Sequence, residues 1–217
     1  MKNIILIAAP SAGKGTQCAL LVEEFGHKHI STGDLLRDAA KEDSDFGRDI
    51  ARRMQAGELI SDDIINVMLK NTLEKIGDQK FILDGYPRTI NQAESLTEMF
   101  NELGIEDYVV IYLDIDRRMA MERALGRVTC DSCKSIYNIY AEGFKPKTEG
   151  ICDNCSTPLM QRADDNEESF NNRFDTYVKN TEPILSFYEN LGVLKRTQMQ
   201  AEKEQSYNNV KKAIEEN

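Results

Sequence analysis

The chain has no long apolar run. Its longest, Ile4 to Ala9, covers six residues. That is far below the roughly 18 a membrane helix needs, so no membrane partner is expected. Proline and glycine are sparse, at 5 and 13 of 217 residues, which excludes collagen-like and linker-dominated chains. Low-complexity tracts are absent as well. The chain lacks any excess of positive charge: Lys+Arg total 27 against 37 Asp+Glu, a formal charge of -10. Duplex binders carry a basic face, so no nucleic-acid partner is expected. The two histidines, His27 and His29, have no ligand partners by spacing and read as structural.

Composition is otherwise ordinary for a globular protein, with 41% hydrophobic and 29% charged residues. A chain of 217 residues reads as one large domain, or one domain with insertions. It can bury about two-thirds of its unfolded surface, so its core needs no disulfide staples. The opening Met1 to Ala9 imitates a short signal peptide, but its apolar part is too short and Gly13-Lys14-Gly15-Thr16 follows directly. Export is therefore not expected. A cytoplasmic, reducing setting makes the cysteines metal or structural thiols.

Strand-like and helix-like patterns alternate. Ile4–Ile7, Phe81–Leu83, Val109–Leu113 and the shorter Val193–Leu194 are continuous apolar runs, the pattern of strands buried on both faces. Helical spacing covers 16–25, 61–76, 89–103, 116–125 and 166–189. Such alternation implies right-handed crossovers and a parallel α/β sheet flanked by helices. Two segments depart from it. Residues 31–60 are helical and strand-free, with Gly47 and Gly57 as breaks. Residues 127–163 hold four cysteines and no long periodic segment. The expected division is a core of 1–30, 61–126 and 164–217 carrying insertions at 31–60 and 127–163.

Residues 8–16 read Ala-Ala-Pro-Ser-Ala-Gly-Lys-Gly-Thr. A loop between a buried strand and a helix start directs backbone N–H groups and the helix dipole at one point, which suits phosphate oxygens. Lys14 adds a mobile cation. The general pattern is G-x-x-x-x-G-K-[ST]. Ala8 stands at its first glycine, and Gly15-Thr16 stand where one hydroxyl residue is expected.

Cys130-x₂-Cys133 and Cys152-x₂-Cys155 are separated by eighteen residues. This is the spacing of a four-thiolate zinc site, closed and therefore structural. Zinc would replace the core that a thirty-seven-residue insertion cannot build. Two disulfides are the alternative, and they require an oxidising compartment. Cys18 reads as a small packed residue.

Four motifs together carry a resemblance: the loop at 9–16, Ser31-Thr32-Gly33-Asp34-Leu35-Leu36-Arg37, Asp84-Gly85-Tyr86-Pro87-Arg88-Thr89, and Arg162-Ala163-Asp164-Asp165. In this order they resemble the nucleoside monophosphate kinases over essentially the whole chain, and most closely the bacterial adenylate kinases with a long zinc-containing lid. The resemblance implies an NMP-binding insertion at 31–60 and a lid at 127–163. It also implies reversible phosphoryl transfer from MgATP to AMP, giving two ADP. ATP, AMP and ADP would be the substrates, Mg²⁺ and structural Zn²⁺ the cofactors, and the protein a monomer.

It also assigns roles. Ser11, Ala12, Gly13, Lys14, Gly15 and Thr16 would cradle ATP, with Ile136 and Tyr137 of the lid near it. Arg123 and Arg127 would hold the donor phosphates, and Arg37 and Arg88 the acceptor phosphate. Arg162 and Arg173 would reach in from the lid base and the following helix. Arginine suits all these places because its planar fork binds phosphate bidentately and stays charged. Thr32 and Gln92 would contact the acceptor base. Glu58, Leu59 and Ile60 would line its pocket beside Gly85, Tyr86 and Pro87. Asp84 ends a buried strand, where it would face Mg²⁺ or form the turn before Gly85. Asp164 and Asp165 read as helix caps, hinge partners of the lid arginines, or both.

No general base is required, because a nucleotide phosphate has a second pKa near 6. In-line positioning and charge neutralisation would suffice, with both insertions closing to keep water out. The rival readings are a UMP/CMP-type kinase and a nucleotide-binding regulator without turnover. The long lid opposes the first and the full arginine set the second.

Overall fold

A computed structural model describes residues 1–56, 60–162 and 165–215. Its centre is the apolar run at the start of the chain, β1 (Asn3–Ala8), in which Ile4 and Ile5 are wholly buried. The chain then forms α1 (Lys14–Phe25), β2 (Lys28–Ser31), α2 (Thr32–Ala39), α3 (Asp45–Ala56), α4 (Asp62–Ile76) and β3 (Phe81–Asp84). After these come α5 (Ile90–Glu102), β4 (Tyr108–Asp114), α6 (Arg117–Leu125), β5 (Arg127–Cys130), β6 (Ile136–Asn138) and β7 (Leu159–Met160). The last elements are α7 (Glu167–Asn180), α8 (Ile184–Asn190), β8 (Leu194–Gln198) and α9 (Lys203–Glu215).

Five strands make a wholly parallel sheet in the order β2-β3-β1-β4-β8. Ile4 pairs with Ile82 on one side and with Val109 on the other. From β1 the chain crosses to β2 on one side, and from β3 it crosses over β1 to β4 on the other. This reversal opens a crevice at the carboxyl end of β1, the usual ligand position in open α/β sheets. The α/β expectation therefore holds.

Several helix starts follow from their caps. Thr89 Oγ1 accepts from Gln92 N, and Asp116 accepts from Arg118 N and Met119 N. These place α5 and α6 one residue inside the predicted patterns. Asn166 caps α7 by accepting from Ser169 N, so Asp165 is not the cap.

Four local expectations change. Lys28–Ser31 is an edge strand in which only Ile30 is fully buried, so no continuous apolar run announces it. The predicted helix over 166–189 is two helices, α7 and α8, divided at Thr181–Pro183. Proline lacks an N–H and its ring clashes with the preceding turn, so the first helix ends there. The helix α9 escapes the periodicity reading because its polar residues outnumber the buried Tyr207, Val210, Ala213 and Ile214. Gly47 lies inside α3 rather than breaking it. A Cβ there would meet Glu42 O at 2.3 Å and Ala39 O at 2.7 Å, so the helix start can lie against that turn only as glycine. Gly57 lies outside the described residues.

Residues 127–160 build their own antiparallel sheet in the order β6-β5-β7. Among the described residues, none between 127 and 162 joins the hydrophobic core. Ile136, Ile139, Tyr140 and Met160 stay exposed. A segment this short of buried apolar area needs another source of stability.

Candidate active site

The loop after β1 is held by its own backbone, with Ala12 N donating to Ala9 O at 3.2 Å and Gln17 N to Gly13 O at 3.1 Å. Gly13 precedes α1 with φ +95, a conformation costly for any residue with a Cβ. Ser11 nonetheless takes φ 61. Lys14 is the first residue of α1, so it stands where the N–H groups of the helix start converge.

Lys14 Nζ lies 2.8 Å from Asp84 Oδ1, at the end of β3. His29 Nε2 lies 3.2 Å from the other oxygen, Oδ2. Burial alone would push the Asp84 carboxyl up. The His29 hydrogen bond and the charge and hydrogen bond of Lys14 outweigh it and hold the group down to about 2. Asp84 is therefore a carboxylate throughout the physiological range. His29, read from the sequence as structural, faces this carboxylate directly. Cys18 Sγ lies 3.9 Å from Asp84 Oδ2.

A cleft of about 530 Å³ opens over the loop. Lys14, Arg88, Arg123, Arg127, Arg162 and Arg173 line it, drawn from separate segments, and Lys203 of α9 joins them. Asp84 is the only acidic residue among its described lining residues. A concave site of this size, with its cations outnumbering the one acid, focuses a positive field on a small anion. Ser11 through Thr16 line the same cleft, as do Ile136 and Tyr137 from the small sheet. The Tyr137 hydroxyl turns away to accept from Asp153 N at 2.9 Å. Asn138, Ala141 and Phe144 also border the cleft, unannounced by any motif.

Three arginines are already engaged. Arg123 donates from Nη1 to Ala12 O at 2.9 Å and from Nη2 to Gln200 O at 2.6 Å. It thereby ties α6 to the loop and to the segment after β8. Arg127 forms a two-point pair with Asp165, whose side chain is fully buried, and Arg173 Nη2 lies 3.5 Å from the same carboxylate. Asp165 thus fits the hinge-partner alternative; Asp164 lies outside the described residues.

The residues expected around the acceptor divide into two groups. Gly85, Pro87 and Arg88 line the cleft, and Arg88 Nε donates to Gly85 O at 2.7 Å. Arg37 does not reach the cleft lining: it is 57% exposed and paired with Asp34 at 2.6 Å. Thr32 is buried and donates to Gly85 O, and buried Tyr86 bonds Asn66. Gln92 accepts from Arg88 N at 2.7 Å and donates to Asp62 at 2.6 Å. Ile60 is partly buried. Glu58 and Leu59 lie outside the described residues.

The four cysteines of the small sheet converge. Their sulfurs lie within 4.8 Å of one another, with Cys130–Cys155 at 3.3 Å and Cys133–Cys152 at 3.4 Å, and all are free thiols. Bonds from Thr157 hold the Cys155 thiol down to about 6, which favours the thiolate a metal requires. Four soft donors around one point could hold a metal ion.

The sheet, the loop at its switch point and the cationic cleft define a phosphate-loop phosphotransferase. Residues 6–193 match the family model described as adenylate kinase. The chain is 38% identical to an adenylate kinase of Geobacillus sp. over 213 residues, 98% of each chain. It is 40% identical to the adenylate kinase of Bacillus subtilis over 210 residues, 96% of each. Against that of Staphylococcus epidermidis it is 42% identical over 194 residues, 89% of each. The chain belongs to the adenylate kinase family, and its four-cysteine cluster is consistent with the long-lid, zinc-containing type. It is accordingly a nucleoside monophosphate kinase. No helix among the described residues is long and apolar enough to cross a membrane.

Proposed function

We propose that the chain transfers the terminal phosphoryl group of MgATP to AMP, reversibly, giving two ADP. The observation that carries this reading is the convergence of Lys14, Arg88, Arg123, Arg127, Arg162 and Arg173 on one cleft around Asp84. A single nucleotide does not call for so many cations; two sets of phosphates brought end to end do. Ser11 to Thr16 cradle the donor phosphates, with Lys14 following the transferring group. Arg123 and Arg127 complete the donor side, with Ile136 and Tyr137 near the donor nucleotide. Arg88 and Arg37 take the acceptor phosphate. Arg162 and Arg173 close the charge around the transition state.

The acceptor dianion needs no deprotonation, so the chain contributes positioning and neutralisation. Arg37 stands outside the cleft, so the 31–60 insertion must close to deliver it, as must the 127–163 lid over the core of 1–30, 61–126 and 164–217. Closure also shuts out water and spares ATP from hydrolysis. Thr32, Gln92, Gly85, Tyr86, Pro87 and the 58–60 segment form the acceptor-base side, where the Gln92 amide can exchange Asp62 for adenine. Asp84, ionised and lining the cleft, is the hard oxygen donor suited to Mg²⁺. When bound with ATP, that ion spreads the developing phosphoryl charge.

The four lid thiols suit zinc, which would staple a segment that has no core of its own. Such thiols fit the cytoplasm, and the protein acts there as a monomer on small nucleotides, without nucleic-acid or membrane partners. A coupled assay with AMP, UMP, CMP and GMP as acceptors tests the reading. AMP is expected to give ADP fastest. No ADP from ATP plus AMP would overturn it.

A further inference from the structure

We infer that Cys18, His29 and Asp84 form a second metal site, one that takes a borderline-soft divalent cation of the Zn²⁺ class. The three donors come from α1, β2 and β3 and lie within 4.8 Å of one another. His29 Nε2 is 3.2 Å and Cys18 Sγ 3.9 Å from the same oxygen, Asp84 Oδ2. Zinc bonds of about 2.0–2.3 Å in a tetrahedron require donor separations of about 3.3–3.6 Å. The two separations from Oδ2 therefore need shifts of only a few tenths of an ångström, and the third side, Sγ to Nε2, lies within 4.8 Å.

The carboxylate has two faces, and they are used differently. Lys14 holds Oδ1 at 2.8 Å on the cleft side. Oδ2 is turned to the imidazole and the thiol. Lys14 and Cys18 are one helical turn apart on α1, so both point at the same carboxylate. One sulfur, one nitrogen and one oxygen suit zinc or cobalt; Mg²⁺ refuses sulfur. On binding, the S–H bond of Cys18 breaks, a metal–sulfur bond forms and the proton passes to solvent. Thiolate and carboxylate then balance the dication. Cys18 is 1% exposed, while the His29 side chain is 35% exposed, so the ion enters past His29. Three protein donors leave the fourth position to water.

A metal on Oδ2 takes Asp84 out of use and slows turnover. This consequence rests on the role proposed for Asp84; the binding does not. The test uses the full chain with zinc in its lid. Co²⁺ is titrated in and read through its near-ultraviolet sulfur-to-metal band. Zinc outcompetes cobalt, so the lid keeps its ion. One further equivalent is expected to bind. Cys18→Ala and His29→Asn should each weaken it at least tenfold, while Cys18→Ala keeps basal turnover within about twofold. Free Zn²⁺ held by a metal buffer should inhibit the native chain at concentrations at least tenfold below those for Cys18→Ala. If Cys18→Ala fails to fold, the partly exposed His29→Asn carries the same test. A cobalt band unchanged in the folded variants, or no second equivalent, overturns the site. Binding lost in the variants without any zinc inhibition of the native chain supports the site and overturns the role given to Asp84.

Discussion

Arg127 and Asp165 stand thirty-eight residues apart in sequence and form a two-point ion pair, with Nε donating to Oδ2 at 2.8 Å. The Asp165 side chain is wholly buried and that of Arg127 is 17% exposed. The pair fastens β5, the central strand of the small sheet, to the entry of α7. Removing Asp165 takes its carboxylate from two partly exposed guanidiniums, those of Arg127 and Arg173. Asp165→Ala is expected to lower the free energy of unfolding by about 1.5–3 kcal/mol, read from guanidinium unfolding curves. A loss below 1 kcal/mol would show that the pair does not fasten β5 to α7.

Asp84 sets an acid limb of stability. Its folded pKa is held down to about 2, below the usual value of about 3.9. The unfolded chain therefore takes up this proton first as pH falls. The stabilisation is complete above about pH 4 and is lost as pH drops through about 2, amounting to the order of 2 kcal/mol. Asp84→Asn should cost that much at pH 7. The difference from the native chain should shrink as unfolding is measured from pH 4 towards pH 2. A difference constant with pH would contradict this account.

Ser11 departs from what its place demands. It takes φ 61, and its Oγ is buried without a hydrogen-bond partner among the described residues. Both features cost free energy that glycine avoids. Ser11→Gly should stabilise the protein by about 1 kcal/mol against urea, with ATP affinity by calorimetry undiminished. Destabilisation would mean the hydroxyl has a role in the folded loop.

The lid thiols give a metal prediction. Metal analysis should return zinc, and chelation should unfold the 127–160 sheet while leaving the core sheet intact. Cys152→Ser should lower Tm by on the order of 10 °C in calorimetry. An unchanged Tm would mean that the lid coheres without metal.

Much of the core was legible because its strands are buried on both faces. Ile4–Ile7 and Val109–Leu113 have nowhere to present polar residues, so they read as unbroken apolar runs. The strand Lys28–Ser31 sits at the sheet edge and needs only Ile30 inside, so it left no such mark. The helix α9 buries a narrow stripe and is otherwise polar. The break between α7 and α8 was written in Pro183, yet the helical spacing on both sides masked it. In the site, Lys14, Arg88 and Arg162 sit in the recognised motifs and Arg123, Arg127 and Arg173 were placed by the family resemblance, whereas nothing announced Lys203. His29 carries no motif of its own, and the motif holding Asp165 left cap and hinge roles open, which its partners Arg127 and Arg173 decide.

By itself the sequence determined what depends on neighbours along the chain: the strand–helix alternation, the phosphate loop with Lys14, and the paired Cys-x-x-Cys turns. Periodicity and short spacing act over a few residues, so they can be read in one dimension. Tertiary structure alone decided which groups meet. His29 and Cys18 reach Asp84 across 55 and 66 residues, and Arg123 reaches Ala12 across 111. It also left Arg37 outside the cleft that receives Arg88. These relations depend on sheet order and on the crevice at the end of β1, and those are fixed only when the core packs.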